Sequence, residues 1–160
     1  MYSYVTEELP ELVASNFPLR RDRQGIFGHS MGGHGALVCA LRNQARYRSL
    51  SAVAPISHPS SCPWGINAFT KFLGPNKADW QRYDATELMR RRAFHSPILL
   101  DQGLSDKYLV EQLMPDIFEE ACHGSDQTLM LRRHAGYDHG YFFVQTVIAD
   151  HLKHHASILQ

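Results

Sequence analysis

The stretch "RRDRQGIFGHSMGGHGALVCALRN", residues 20–43, sets a short apolar run directly before a glycine-rich turn and a run of helix-forming residues. The apolar run predicts a strand over 25–27, and the run rich in Ala and Leu predicts a buried helix over 33–42. One serine, Ser30, stands at the junction. The stretch therefore predicts a strand, a tight turn and a helix, which together are the building unit of an α/β fold.

The turn itself has the pattern Gly-x-Ser-x-Gly, from Gly28 to Gly32. In the nucleophile elbow this pattern holds a serine in a strained turn, with its hydroxyl above the carboxyl end of the strand. We expect side chains two residues to either side of Ser30 to collide with the neighbouring strand or helix, which would explain the glycines. A glycine-rich turn with an incidental serine is the alternative, but the flanking strand and helix favour a nucleophile.

Composition limits the classes of function. The chain has 160 residues, of which 44% are hydrophobic and 20% charged, a balance typical of one globular domain, 1–160. Its formal net charge of +0 provides no field for nucleic acid or an acidic membrane. The three cysteines, Cys39, Cys62 and Cys122, form no Cys-x-x-Cys pair, so neither a disulfide framework nor a zinc site is indicated. With no export signal or membrane-length apolar run, a cytoplasmic location is expected.

The rest of the chain alternates strands and helices, which is typical of a parallel sheet covered by helices. Apolar residues at helical spacing predict a first helix that Pro10 kinks or restarts. Residues 56–78 are rich in proline and aromatic residues and are expected to form a packed loop over one end of the sheet. The remaining predicted elements are strands at Leu50–Ala54, Pro97–Asp101 and Thr128–Arg132 and helices at Leu109–Cys122 and Tyr141 to about Leu159.

A serine nucleophile needs a base and an acid, which in this kind of fold follow it in the order acid, then histidine. Asp106 lies five residues beyond the third predicted strand in a loop that could reach the carboxyl edge of the sheet. Asp101, at the end of that strand, is the rival acid, although it could equally cap a turn. His139 lies in the loop between the last strand and the last helix, and this position favours it over His134, which is closer to the strand.

Five segments carry a family resemblance. They are "YVTEELPELVASNFP", "FGHSMGGHGALVCALRN", "SAVAPISHPSSCPWG", "DQGLSDKYL" and "GYDHGYFFVQTVIADHLKHHA". Together they resemble the S-formylglutathione hydrolases of the esterase D type, in order and in register from about Met1 to Gln160. The specificity is high because five separate segments match in sequence, rather than one motif.

The resemblance implies an α/β-hydrolase fold and a cytoplasmic thioesterase of formaldehyde detoxification that splits S-formylglutathione into glutathione and formate. Carried over by position, the family's triad falls on Ser30, Asp106 and His139. Met31 would supply one oxyanion-hole amide from its backbone. No metal or cofactor is implied, and the partner is a small-molecule substrate.

Two departures from the family pattern raise expectations of their own. The family usually has Ser directly after the catalytic histidine, where this chain has Gly140, so we expect a looser loop around His139. Family members also carry a long N-terminal half before the "MYSYVTEELP" segment, with the first strands and the second oxyanion donor. We therefore expect a C-terminal part of the fold with about four strands, truncated at the N-terminus. Such a chain would self-associate, as a homodimer or larger species, and turn over slowly.

Other residues stay open between two interpretations. Trp64, in "CPWG", is a candidate for lining the acyl pocket or the glutathione cleft, and a core aromatic is the alternative. The nearby Cys62 has no local feature that would activate its thiol. His151, His154 and His155 are spaced to share a helical face, where they could hold a divalent metal or, as we expect, face solvent. The basic runs at 20–23 and 89–92 are expected to be solvated surface.

Two further functions remain compatible with the sequence. A general serine carboxylesterase acting on small oxygen esters would use the same triad. A non-catalytic remnant or assembly partner would retain the three residues without using them. Comparing the rates on S-formylglutathione and p-nitrophenyl acetate distinguishes the thioesterase from a general carboxylesterase. Labelling by a fluorophosphonate probe distinguishes both enzymes from a non-catalytic protein.

Overall fold

The computed structural model describes residues 1–160 and contains one sheet of four strands. All neighbouring strands are parallel, in the order β1-β2-β3-β4, and the strands are β1 Gln24–His29, β2 Tyr47–Val53, β3 Ile98–Gly103 and β4 Leu129–His134. The helices are α1 Leu9–Asn16, α2 Met31–Arg42, α3 Pro63–Leu73, α4 Lys77–Trp80, α5 Ala85–Arg91, α6 Pro115–Gly124 and α7 Tyr141–Ile158. The predicted α/β class with a four-stranded parallel sheet is confirmed.

The strand register puts the carboxyl ends at one edge of the sheet. His29 pairs with Val53, Val53 with Asp101, and Asp101 with Arg132. Because the connections that follow these four residues start from the same edge, the loops after β1, β2, β3 and β4 meet above it. This edge therefore collects the segments that carry the predicted site residues.

Helices cover both faces of the sheet, as the alternation of side chains along β2 and β3 requires. Leu50 and Leu100 point to the face that packs against α2, α5 and α6, where most of the buried apolar residues lie. Ser51 and Asp101 point to the other face and contact α7. Since β2 and β3 are almost continuously buried while β1 alternates between half-buried and exposed residues, the core lies under the central strands. No helix has the length and apolar character needed to cross a membrane.

Three predicted elements need correction. The expected loop at 56–78 contains α3 and α4, and α5 was not predicted at all. The helix expected over 109–122 is divided into a π-helical turn at Leu109–Leu113 and α6, because Met114 adopts a left-handed conformation (φ 51°) directly before Pro115. Proline disfavours a helical conformation in the residue before it and itself fits the first turn of a new helix. Pro10 lies in the first turn of α1 after a π-helical turn, but Leu9 before it keeps helical dihedral angles (φ −64°, ψ −48°), so the chain changes from π-helical to α-helical there without a break.

The expected solvated face of histidines on α7 is wrong for two of its three members. The side chain of His151 is fully buried and His155 is only 7% exposed. His151 Nε2 lies 2.9 Å from Asp101 Oδ2, and its Nδ1 lies 2.7 Å from Ser51 Oγ. His155 continues this buried ladder, with Nε2 at 2.8 Å from Ser51 Oγ and Nδ1 at 2.6 Å from Ser49 Oγ. The ring nitrogens are thus used to join α7 to the sheet.

The ladder predicts a pH dependence of stability. Burial, followed by the neighbouring His154 and His151, lowers the pKa of His155 to about 4. In the unfolded chain a histidine takes up its proton near pH ~6.5, so between ~6.5 and ~4 the unfolded state binds more protons and the folded state loses stability as the pH falls. We expect this residue to contribute a loss of about 3 kcal/mol in the free energy of unfolding over that window.

Urea unfolding at several pH values measures this contribution. His155→Gln, which cannot take up a proton, should lower stability at neutral pH and flatten the decline below pH ~6.5. His123→Gln provides the control, because His123 is exposed, and it should leave the change of stability with pH as it is in the unmodified protein. Equal slopes in the unmodified protein and His155→Gln would contradict the assignment.

Candidate active site

Ser30 occupies the turn between β1 and α2 in a strained backbone conformation. Its φ of 56° and ψ of −119° lie in a region that residues with a side chain rarely adopt. Three backbone hydrogen bonds hold it there, since its N–H donates to the carbonyl of Val53 at 2.9 Å and its own carbonyl accepts from the N–H of His34 at 3.0 Å and of Ile56 at 3.4 Å. The surrounding structure thus fixes the Ser30 side chain above the carboxyl end of β1.

The glycines around the turn differ in how much space a side chain would have at each position. A Cβ atom on Gly28 would run into the backbone of Gly32, so no larger residue fits there. A Cβ atom on Gly33 would lie 3.0 Å from Pro55 Cβ and 3.1 Å from the carbonyl oxygen of Gly28. A Cβ atom on Gly32 would meet nothing within 4 Å, so the expected collision on that side is wrong. Close packing of the turn depends on Gly28 and Gly33.

Ser30, His139 and Asp106 form a continuous line of hydrogen bonds. His139 Nε2 lies 2.7 Å from Ser30 Oγ, and His139 Nδ1 lies 2.5 Å from Asp106 Oδ2. The Asp106 side chain is fully buried, whereas that of His139 is 18% exposed. Asp106 is oriented in turn, because its Oδ1 accepts from the N–H of Tyr108 at 2.9 Å and its Oδ2 from Gln102 Nε2 at 3.3 Å. This is the arrangement in which a histidine can remove the proton of a serine.

The loops that hold Asp106 and His139 brace each other. The N–H of Ser105 donates to the carbonyl of Tyr137 at 2.9 Å, and a Cβ atom on Gly103 would overlap that carbonyl. Gly140 is tied down as well, since its N–H donates to Asp138 Oδ1 at 2.8 Å. The segment is therefore held on both sides of His139, and the looser loop expected from Gly140 stays a prediction.

The rival residues belong to a different cluster. Asp101 Oδ1 lies 2.8 Å from His134 Nε2, and both carboxylate oxygens accept from Arg132, at 2.7 Å and 2.6 Å. Although burial alone would raise it, hydrogen bonds from His151, Arg132 and His134 hold the pKa of Asp101 well below its usual range. Asp101 and His134 therefore interact with each other and with α7, whereas Asp106 and His139 meet Ser30.

Two aromatic neighbours of His139 were missed by the sequence analysis. The ring of His29 lies 4.7 Å from the ring of His139, centroid to centroid, at 39°. Tyr108 meets the same ring edge-on, at 5.2 Å and 88°. Both residues lie inside segments quoted above, but no pattern in the sequence indicates that their rings converge on His139.

Trp64 lies one ring further out. It is 42% exposed, which does not fit a core aromatic, and its ring centroid is 4.6 Å from that of Tyr108. The main-chain N–H of Trp64 donates to Gln112 Oε1 at 3.0 Å. The preceding Cys62 caps α3 by accepting from the N–H of Gly65 at 3.3 Å, and burial raises the pKa of its thiol. Trp64 is thus a partly exposed aromatic residue beside Tyr108, while Cys62 is structural.

Donors for an oxyanion are available at the start of α2. Met31 is the first residue of this 12-residue helix, so its N–H has no acceptor within the helix. The helix dipole also directs its positive end toward Ser30. By contrast, a cleft of about 890 Å³ elsewhere on the protein contains no residue of the Ser30 site. It is lined mainly by polar residues such as Arg21, Arg42 and Arg46.

Known proteins resemble this chain over almost its whole length. Residues 2–154 match the family profile Esterase, described as "Putative esterase". S-formylglutathione hydrolase of Rattus norvegicus is 52% identical over 99% of this chain, and that of Arabidopsis thaliana is 51% identical over 100% of it. A solved S-formylglutathione hydrolase from Agrobacterium tumefaciens superposes on all of this chain with a TM-score of 0.97 at 51% identity. The predicted α/β-hydrolase fold and the family resemblance are confirmed.

The match covers only part of each relative. This chain spans 57% of the length of the rat and Arabidopsis proteins and 58% of the Agrobacterium chain. More distant structures share the fold alone, such as the fluorophosphonate-binding serine hydrolase FphF of Staphylococcus aureus, with a TM-score of 0.79 at 18% identity. The substrate in the names of these relatives therefore refers to proteins that are longer than this chain.

Proposed function

Because this chain belongs to the Esterase family, we propose that it is a serine thioesterase that hydrolyses S-formylglutathione to glutathione and formate. The observation that carries the proposal is the line of hydrogen bonds from Asp106 through His139 to Ser30. The identity of 52% to a protein named S-formylglutathione hydrolase supports the choice of substrate. Its place in metabolism would be the detoxification of formaldehyde.

In the first half-reaction Ser30 Oγ attacks the formyl carbonyl carbon while His139 Nε2 takes the hydroxyl proton. The tetrahedral intermediate collapses, the C–S bond breaks, and the protonated His139 gives its proton to the departing sulfur. A thiol has a pKa near ~8.5, so this leaving group asks little of the acid. The products of this step are glutathione and a formyl ester of Ser30.

In the second half-reaction water replaces glutathione. His139 removes a proton from the water, the oxygen attacks the formyl ester, and the proton then returns to Ser30 Oγ as formate leaves. Asp106 holds the imidazole in the required tautomer and stabilises its positive charge. The negative oxygen that forms twice in the cycle is stabilised by the backbone N–H of Met31 and the positive end of α2.

Trp64 is our candidate for substrate contact. Its partly open ring beside Tyr108 could pack against the glutathione moiety, whereas the formyl group needs only a small space next to Ser30. Trp64→Ala should raise KM for S-formylglutathione about tenfold, the equivalent of one lost aromatic contact. The rate on p-nitrophenyl acetate, which lacks the peptide, should change less than about threefold. Equal losses on both substrates would contradict a role in glutathione binding.

Steady-state rates test the choice of reaction. We expect kcat/KM for S-formylglutathione to exceed that for p-nitrophenyl acetate, because the peptide part of the thioester contributes binding energy to the transition state. A higher value for p-nitrophenyl acetate and other small oxygen esters would instead make the protein a general carboxylesterase. Absence of covalent labelling by a fluorophosphonate probe would make it a non-catalytic protein.

We also propose that residues 1–160 act as one domain and associate with a second copy. Strand β1 pairs only with β2, so its other edge carries unpaired backbone groups, and Phe27 on this strand is 46% exposed. Light scattering after size-exclusion chromatography should detect the association, and Phe27→Lys should weaken it. A monodisperse monomer at all concentrations would contradict this proposal.

The three buried cysteines are free, which suits a cytoplasmic location.

A further inference from the structure

His29 makes contacts that the proposed mechanism does not use. It is the last residue of β1, directly before Ser30, and its half-buried ring packs on the ring of His139 with 4.7 Å between centroids. The ring of Tyr141, at the start of α7, also packs on His29, with 5.7 Å between the two ring centroids. The Nε2 atom of His29 is buried and has no hydrogen-bond partner in the protein. Packing against the rings of His139 and Tyr141 is therefore the main contact of the His29 side chain.

The two hydrogen bonds of His139 do not by themselves fix the plane of its ring. They attach Nδ1 to Asp106 and Nε2 to Ser30, and the ring can still tip about the line that joins these two nitrogens. Contacts with the faces and edges of the ring restrict this motion. Tyr108 supplies one such contact and His29 the other. Proton transfer to and from a serine depends steeply on this kind of alignment.

The charge state of His29 suits a place beside His139. Burial, followed by repulsion from His139, lowers the pKa of His29, while Asp106 and the backbone of His139 offset part of this effect. These are the titratable neighbours that act on the His29 ring, apart from the phenol of Tyr141. At neutral pH an uncharged ring packs against the imidazolium that forms on His139 without repelling it.

We propose that His29 is a positioning residue for His139, whose ring packing, rather than its nitrogen atoms, holds the imidazole in line with Ser30 and Asp106. The proposal rests on the proposed function of His139 as the base. His29 acts through His139 and does not need to touch the substrate. The same stack can exist whether the acyl donor is a thioester or an oxygen ester.

Two substitutions separate the ring from its nitrogens. His29→Phe keeps an aromatic ring in the position and removes a buried nitrogen that has no partner, so it should retain the rate of fluorophosphonate labelling within about threefold. His29→Ala removes the ring and should reduce that rate by about 10- to 100-fold through loss of alignment. Phe142→Ala is the control, because Phe142 is an 85% exposed aromatic residue next to Tyr141, and its rate should be unchanged.

A measurement that does not depend on activity completes the test. Proton NMR detects the hydrogen-bonded Nδ1 proton of His139, whose signal should persist in the unmodified protein and His29→Phe and broaden or vanish in His29→Ala. If the unmodified protein shows this signal but no labelling, the proposed function fails while the effect of His29 on the ring is still measured. A sharp signal and full labelling in His29→Ala, or equal losses in His29→Phe and His29→Ala, would overturn the proposal.

Discussion

Ser30→Ala is expected to abolish covalent labelling by a fluorophosphonate probe and to reduce hydrolysis by about 10⁴-fold or more. The substitution removes the only atom of the site that forms a bond to the acyl group in the proposed mechanism. His139 and the amide of Met31 would remain, so a small residual rate over the uncatalysed reaction is expected. The fold should be retained, because alanine is similar in size and the Ser30 hydroxyl bonds only to His139.

The strained backbone at Ser30 adds a second expectation. Alanine pays the same backbone cost at a φ of 56° as serine does, so stability should change by less than about 1 kcal/mol. Ser61→Ala is the matched control, since Ser61 is an exposed serine in the loop after β2, above the same edge of the sheet. Mass spectrometry of the labelled peptide measures the outcome. Labelling of another serine in the Ser30→Ala protein would contradict the elbow assignment.

The second large effect is expected from Asp106→Asn. An asparagine cannot stabilise the imidazolium of His139, and its amide group favours the wrong tautomer of the ring, so turnover should fall by about 10³- to 10⁴-fold. The main-chain N–H of Tyr108 donates to Asp106 Oδ1, and an amide oxygen can accept the same bond. We therefore expect a folded protein with a defective base.

Asp101→Asn is the matched control. It makes the same change on β3, just before the loop that carries Asp106, in a cluster that does not contact Ser30. Removing its charge leaves Arg132 with Asp150 as its remaining carboxylate partner and weakens the hydrogen bonds with His134 and His151, so stability should fall by about 1–3 kcal/mol. The rate of the folded fraction at low temperature should stay within about tenfold of the unmodified protein.

If Asp101→Asn does not fold, Arg132→Gln perturbs the same cluster from its partly exposed side and should lower stability without a comparable loss of rate. Steady-state kinetics and urea unfolding on the same samples separate the two effects. A larger loss of rate in Asp101→Asn than in Asp106→Asn would move the acid to Asp101.

Some features missed in the sequence had a local signal. The start of α5 reads Asp84-Ala85-Thr86-Glu87, and Asp84 caps the helix by accepting from the N–H of Glu87 at 3.1 Å. This spacing of a capping residue and a glutamate indicates a helix start. Pro63 in the first turn of α3 is another such signal. Proline disrupts the interior of a helix but is favoured in its first turn, which is why a helix begins at Pro63 inside the segment predicted as a loop.

The parallel sheet, the tight turn at Ser30 and the chain order of serine, acid and His139 were all predicted from the sequence. These features depend on local patterns and on chain order, since apolar runs separated by helices form parallel strands whose carboxyl ends coincide. The structure was needed to show that Asp106 contacts His139 while Asp101 contacts His134, that His151 and His155 are buried, and that His29 packs on His139. Each of these joins residues far apart in the chain, such as His155 and Ser51, and packing between such residues leaves no local pattern in the sequence.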